Sequence, residues 1–298
     1  MPLLKDLIGT PLESIHAAFV DAFSRYEVPM DLPPERLAEM MRTRSYDPAL
    51  SVGAFDDDRL VAFALTGYRE AGTERLGYDI ATGVVQAAQN EGLGGLVVEE
   101  LLARGRAAGL TRFLLEVLVN NEAAQKVYAK RGFAVTRRLV CYELSRDVLR
   151  PPASHAFEVD ALTELPASLD ERLYCSFAPT WQNALPSYAA VRDLYALRTL
   201  SDGQGLAGYG IVHRARGAIL QIGLRPDLRD AEPLALVTAL LGGATPADKL
   251  VMTNIEAESA LDRLAVASGW TRTVEQFEMA YEFGRGQSTA EPSDGHGV

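Results

Sequence analysis

The run Gln89-Asn90-Glu91-Gly92-Leu93-Gly94-Gly95 is the first place where this sequence offers chemistry. Glycines at the start of a helix leave backbone N–H groups open, and the helix dipole there favours negative charge. Such a run can cradle a phosphate, and it can equally be a plain tight turn. It is neither the dinucleotide fingerprint, which needs GxGxxG and a later acidic residue, nor a P-loop, which needs GK[ST]. Two carboxylates lie in apolar segments near it, Asp79 in GYDIATG and Glu116 in FLLEVLV. A carboxyl among apolar side chains has a raised pKa and can serve as a base, whereas one at a strand edge facing water does not. Tyr128 follows Asn121 by seven residues and precedes Gly132-Phe133, so a hydroxyl stands near the end of a short helix. The histidines (16, 155, 213 and 296) and the cysteines (Cys141 and Cys175) show no metal-ligand spacing and no CxxC pair. No metal is expected, and both thiols read as buried and inert.

These residues need elements to position them. Ile15, Phe19 and Phe23 recur four apart over 11–28, one face of a helix, and Pro33–Arg42 opens a second. SVGAF, an Asp56–Asp58 turn and RLVAFALTGYR form a hairpin pattern, and ERLGYDIATGVV supplies the next strand. Leu93, Val97 and Leu101, with Val98 and Leu102, predict a helix over 93–108 that begins at the glycine run. RFLLEVLV is then a strand, and Asn121 caps the helix that carries Ala124 and Tyr128.

The chain has 298 residues, 48% hydrophobic and 23% charged, enough for two domains with substantial cores. The Pro-containing stretch SRDVLRPPASHA divides it into 1–147, a linker over 148–156 and a second unit over 157–284, with a Gly/Ser-rich tail over 285–298 read as disordered. Net charge is −11, with 18 basic against 21 acidic residues up to Arg150 and 11 against 19 beyond it. A field of that sign repels nucleic acid and anionic lipid. With no long apolar run and no leader pattern, a cytoplasmic protein is expected, with no nucleic-acid or membrane partner.

In order, the strand, the Q-x-x-G-x-G loop, the helix, the strand and the N-x-x-A-x-x-x-Y helix ending in GF resemble the GNAT superfamily of acyl-CoA-dependent N-acyltransferases. The resemblance runs from about Gly77 to Leu144 and extends plausibly to residue 1. It implies an α+β fold, a mixed and mostly antiparallel sheet flanked by helices and splayed in the middle, with acetyl-CoA as co-substrate in the gap. By the resemblance, the main chain of Val84 and Val85 pairs with the pantetheine arm, and the amides from Gln89 through Asn90, Glu91, Gly92, Leu93 and Gly94 to Gly95 hold the pyrophosphate. Asn121 and Ala124 border the thioester. Members commonly carry a basic residue in this loop, whereas this chain has neutral Gln89 and acidic Glu91. Moving an acetyl group to an amine needs a neutral nucleophile, a stabilised oxyanion and a protonated leaving thiol. Tyr128 stands at the family's tyrosine, as general acid or sulfur-orienting group, with packing as the alternative. Glu116 or Asp79 is the candidate base, with ordered water as the alternative relay. Phe23 and Tyr26, beside Met30, lie where the family builds its acceptor pocket, and aromatic walls in an acidic protein suit a cationic amine.

The second half reads as a degenerate copy. Arg229 aligned with Gln89 puts Glu232 where Gly92 stands, and Asn254 aligned with Asn121 makes the later helix about one turn longer, with Leu261 or Ala265 in the tyrosine's slot. The expectation is a tandem pair of GNAT-like domains, the first catalytic and the second a partner that helps to form the acceptor pocket. Trp181, in PTWQNALP, is the candidate ligand contact from the second half, with an interface anchor as the alternative. The expected function is acetyl transfer to the primary amine of a small molecule. A non-catalytic acyl-CoA sensor and a structural or interaction protein are the alternatives, and a homodimer is compatible with either.

Overall fold

The computed structural model describes residues 2–28, 30, 32–146, 149, 157–166, 169–229 and 233–284. The expected tail over 285–298, the linker apart from residue 149, and Glu232 lie outside the described residues. The first half runs β1 (Leu3–Lys5), α1 (Leu12–Phe23), α2 (Pro34–Thr43), β2 (Val52–Asp56), β3 (Arg59–Ala71), β4 (Glu74–Val84), α3 (Leu93–Ala107), β5 (Arg112–Leu118), α4 (Glu122–Ala129) and β6 (Ala134–Ser145). The second runs β7 (Glu158–Leu162), α5 (Glu171–Tyr174), α6 (Leu185–Ala190), β8 (Tyr195–Asp202), β9 (Gly205–His213), β10 (Ala218–Leu224), α7 (Pro233–Leu241), β11 (Lys249–Glu256), α8 (Ala260–Ala267) and β12 (Thr271–Glu282).

Local signals explain the first half. Ile15 and Phe19 bury the face of α1 that the four-residue spacing marks out. Asp57 takes the left-handed φ of +51° that the tight β2–β3 turn requires. Asn121 caps α4 by accepting the Ala124 N–H at 3.1 Å, and Gly132, at φ +91°, ends it.

The two halves are contiguous in the chain but interleaved in the sheet. All twelve strands form one sheet in the order β1-β2-β3-β4-β5-β12-β6-β11-β10-β9-β8-β7. The last strand of each half therefore lies in the other half's territory, with β12 between β5 and β6, and β6 between β12 and β11. The cores follow the exchange. Met279 of β12 is buried in the core of the first half, and Val140, Tyr142 and Leu144 of β6 in that of the second. Each such aliphatic side chain contributes about 1.5–3 kcal/mol by its burial, so each half is stabilised by a strand it does not encode.

The second half repeats the first with one correction. Asn254 lies inside β11 and is not a helix cap; Ser259 caps α8 by accepting the Asp262 N–H at 3.1 Å. The helix is consequently no longer than α4, since both span eight residues. The Trp270 N–H bonds Ala265 O as the Phe133 N–H bonds Tyr128 O, so Ala265 holds the tyrosine's slot.

Candidate active site

Strands β4 and β5 run parallel and pair only over Leu76↔Arg112, Gly77↔Phe113 and Tyr78↔Leu114, then part. Beyond Tyr78 the edge of β4 is free on that side. The Val85 N–H bonds Val61 O at 2.9 Å, and alternation along an antiparallel pair turns the main chain of Val84 and Thr82 the other way, toward the opening. Val85 is thus engaged with β3 and leaves the free edge to Val84. The Val84 carbonyl accepts Gln89 Nε2 at 3.2 Å, which ties the loop to the strand.

At the head of the gap, Gly92 caps α3 at φ +80°. Asn90 is also left-handed, at φ +68°. Among the described residues, the N–H groups of Asn90, Glu91, Gly92, Leu93 and Gly94 find no acceptor. They form a nest of donors at a helix start, the arrangement that binds phosphate. A Cβ on Gly94 would lie 3.6 Å from Val84 Cγ2, so its absence keeps the space beside the free strand edge open. Glu91 is exposed, and its charge need not be buried against an anion. A cation that spacing did not indicate comes from the end of α4, where the Arg131 guanidinium packs over Gly95 and pairs with Glu99 at 2.7 Å.

Below the splay lies a cavity of about 430 Å³ walled by both halves. The first half contributes Phe23, Tyr26, Arg44, Asp79, Glu116, Asn121, Ala124 and Tyr128; the second contributes Gln182, Asn254 and Gln276. The expected residues Phe23 and Tyr26 meet edge to face at 5.3 Å on one wall. Trp181, the expected ligand contact, is a correction, since it lies outside the lining. It is buried, stacked on Tyr78 at 5.0 Å, covered on its ring by Arg69 at 4.1 Å, and bonded through Nε1 to Arg44 O. The large indole anchors the two halves together, and its neighbour Gln182 is the residue that reaches the cavity.

Two carboxyl groups face this space. Tyr128 donates to Asp79 Oδ2 at 3.0 Å, as does Thr82 at 2.9 Å, yet burial pushes the Asp79 pKa up to about 6. Burial likewise raises Glu116 to about 7, although Tyr78, Gln182 and Asn254 all donate to it. A carboxyl poised there can accept a proton near neutral pH. Burial and the neighbouring Asp79 hold the Tyr128 hydroxyl well above its ordinary pKa of 10, so it keeps its proton. Spacing missed Gln182, Asn254 and Gln276, because isolated amides in a loop and two strands form no motif.

The second half has the same splay and no room in it. β10 and β11 pair in parallel over only Ala218↔Val251 and Ile219↔Met252. Arg229 donates from Nε to Leu224 O at 3.1 Å, as Gln89 does to Val84, and its Nη2 bonds Leu173 O and Cys175 O. The chain's own segment around Cys175 thereby occupies the groove. Among the described residues, no cluster of three or more potential ligands could hold a metal, and no helix is long and apolar enough to cross a membrane.

A sheet splayed beside a glycine-started helix, with titratable groups at the fork, is the site of an acyltransferase of the GNAT type. Residues 12–133 match the model of the acetyltransferase (GNAT) family, and this part of the chain belongs to that family. Solved structures share the whole tandem fold. A GCN5-related N-acetyltransferase from Sphaerobacter thermophilus is 16% identical with a TM-score of 0.65, covering 94% of this chain and 95% of that one. A tandem GNAT protein from the clavulanic acid biosynthesis pathway is 12% identical with a TM-score of 0.69, covering 98% and 100%. A GCN5-related N-acetyltransferase from Anabaena variabilis is 12% identical with a TM-score of 0.59, covering 94% and 72%. No curated protein matches the chain significantly in sequence.

Proposed function

We propose that the chain transfers an acetyl group from acetyl-CoA to a primary amine of a small, cationic molecule held in the composite cavity. The observation that carries this reading is the convergence on one cavity of Glu116, Asp79 and Tyr128 directly below the donor nest of residues 90–94. Acetyl-CoA supplies the acyl group and a thiol leaving group. The nest and Arg131 fit its phosphates, and the free edge at Val84 fits a chain lying along the gap. Ionised Asp79 and the aromatic wall of Phe23 and Tyr26 draw an ammonium in. Glu116 takes the proton that makes the amine a nucleophile. Tyr128, which keeps its proton at neutral pH, acts mainly as a hydrogen-bond donor to the departing sulfur, since full transfer from so weak an acid is uphill.

Saturation at about 100 times Kd should stabilise the native chain by about 2.7 kcal/mol, read as a rise in melting temperature with acetyl-CoA. Gly92→Glu, which puts a side chain and a charge at the nest, should remove the rise. An unchanged melt of the native chain in saturating acetyl-CoA contradicts the proposal.

A further inference from the structure

Glu116 stands five residues before the α4 cap Asn121, and Asn254 stands five residues before the α8 cap Ser259. The two are therefore equivalent positions of the two halves, a carboxylate in one and a carboxamide in the other. They also touch, with Asn254 Nδ2 donating to Glu116 Oε1 at 3.3 Å. The backbone is shaped for this contact. Asn254 is fully buried and takes φ +57° within β11, where the β11–β6 register slips between Met252 and Ile255. A left-handed residue at such an irregularity re-aims a side chain, and strain of this kind persists where function holds it.

Its orientation is fixed by a neighbour. Gln276 of β12 donates from Nε2 to Asn254 Oδ1 at 2.8 Å, so the carboxamide has only its N–H side left for Glu116. Gln182 repeats the device from the other side. Arg44 donates to Gln182 Oε1 at 2.5 Å, which turns Gln182 Nε2 to Tyr78 Oη at 2.9 Å and Glu116 Oε2 at 3.4 Å. Asn183, next along, bonds Thr253 O at 2.7 Å and locks this loop to β11. Each oxygen of Glu116 thus receives an N–H whose direction is set by a second bond. We propose that Asn254 and Gln182 are positioning residues that hold Glu116 ionised and aimed at the acceptor, so that the second half completes the base of the first.

The inference rests on the reading of Glu116 as the base. The charged or titratable groups around Glu116 are Tyr78 and Asp79 on β4, Arg44 after α2, Cys141 on β6 and Glu278 opposite it on β12. Glu278 is itself paired with Arg137 at 2.7 Å. Donors to a carboxylate favour its charged form, so their loss favours the protonated one.

The test is a carboxyl titration of the full chain carrying δ-¹³C glutamate, with Glu116→Gln assigning the resonance. Asn254→Gly suits the left-handed backbone and deletes the amide, and Gln182→Met keeps the side-chain length without the donors. Each should move the Glu116 midpoint upward by about half a unit or more. A midpoint unmoved in both overturns the proposal, and if one variant fails to fold, the other decides. Full turnover in Glu116→Gln would instead sink the role of Glu116 as base, separately from the titration result.

Discussion

Tyr128 and Glu116 serve the transfer at opposite ends, so their variants should fail differently. Tyr128→Phe keeps the ring packed edge to face on Phe133 at 5.5 Å and deletes only the hydroxyl. Turnover should fall by about 10²–10⁴ while the KM for acetyl-CoA changes little, as steady-state thiol release will show. Glu116 should impress its own titration on the rate, with kcat/KM rising through about pH 7 as the carboxyl ionises. The same group makes a stability statement of definite sign. Its folded pKa lies above the ordinary 4.5, so the stability it contributes is complete below that value and is lost as pH rises through about 7. Between pH 5 and 8 the native chain should therefore lose more melting temperature than Glu116→Gln; equal losses would show that the carboxyl is not held protonated. Tyr128 was legible as a residue because its spacing from Asn121 and Gly132 is a local pattern. Asn254 was misread as a cap for the same reason, since sequence order alone suggested a second Asn121 and the bulge that re-aims it is a property of its pairing with β6.

The elements of the first half were legible because each carries its own signal: the spacing on α1, the acidic turn before β3, the glycines before α3, the cap of α4. What local pattern could not carry is which strand lies beside which. Strands β6 and β12 both read as apolar strands after a helix that ends in glycine and an aromatic residue, and nothing in either announces an exchange. Cutting the chain at the Pro-containing stretch looks harmless in sequence, but in the sheet it strips β5 of its neighbour β12 and β6 of both its neighbours. A chain ending at Gly269, which lacks only β12, should lose its cooperative melt by circular dichroism, first half included, because Met279 leaves that core and the register of β5 with β12 over seven residue pairs is lost. If that truncation, or residues 1–147 alone, melts cooperatively with the turnover of the full chain, the exchange is dispensable.

At the scale of the whole molecule, two copies of one architecture have divided the work. The first keeps the donor nest, the tyrosine and the carboxylates. The second has filled its own groove with the segment around Cys175, replaced the tyrosine with Ala265, and turned Gln182, Asn254 and Gln276 toward its partner's cavity. The degeneracy of its loop was visible in the sequence; its contribution to the active cavity was expected, though through Trp181 rather than through three amides. The most direct measurement of the central claim is release of free thiol from acetyl-CoA by the full chain across a panel of primary amines, with the acylated product weighed by mass spectrometry. The account predicts release that depends on the amine, matches the acetylated product one for one, favours cationic amines and collapses in Tyr128→Phe and Glu116→Gln. Binding of acetyl-CoA with no amine-dependent release, or release undiminished in both variants, would contradict it.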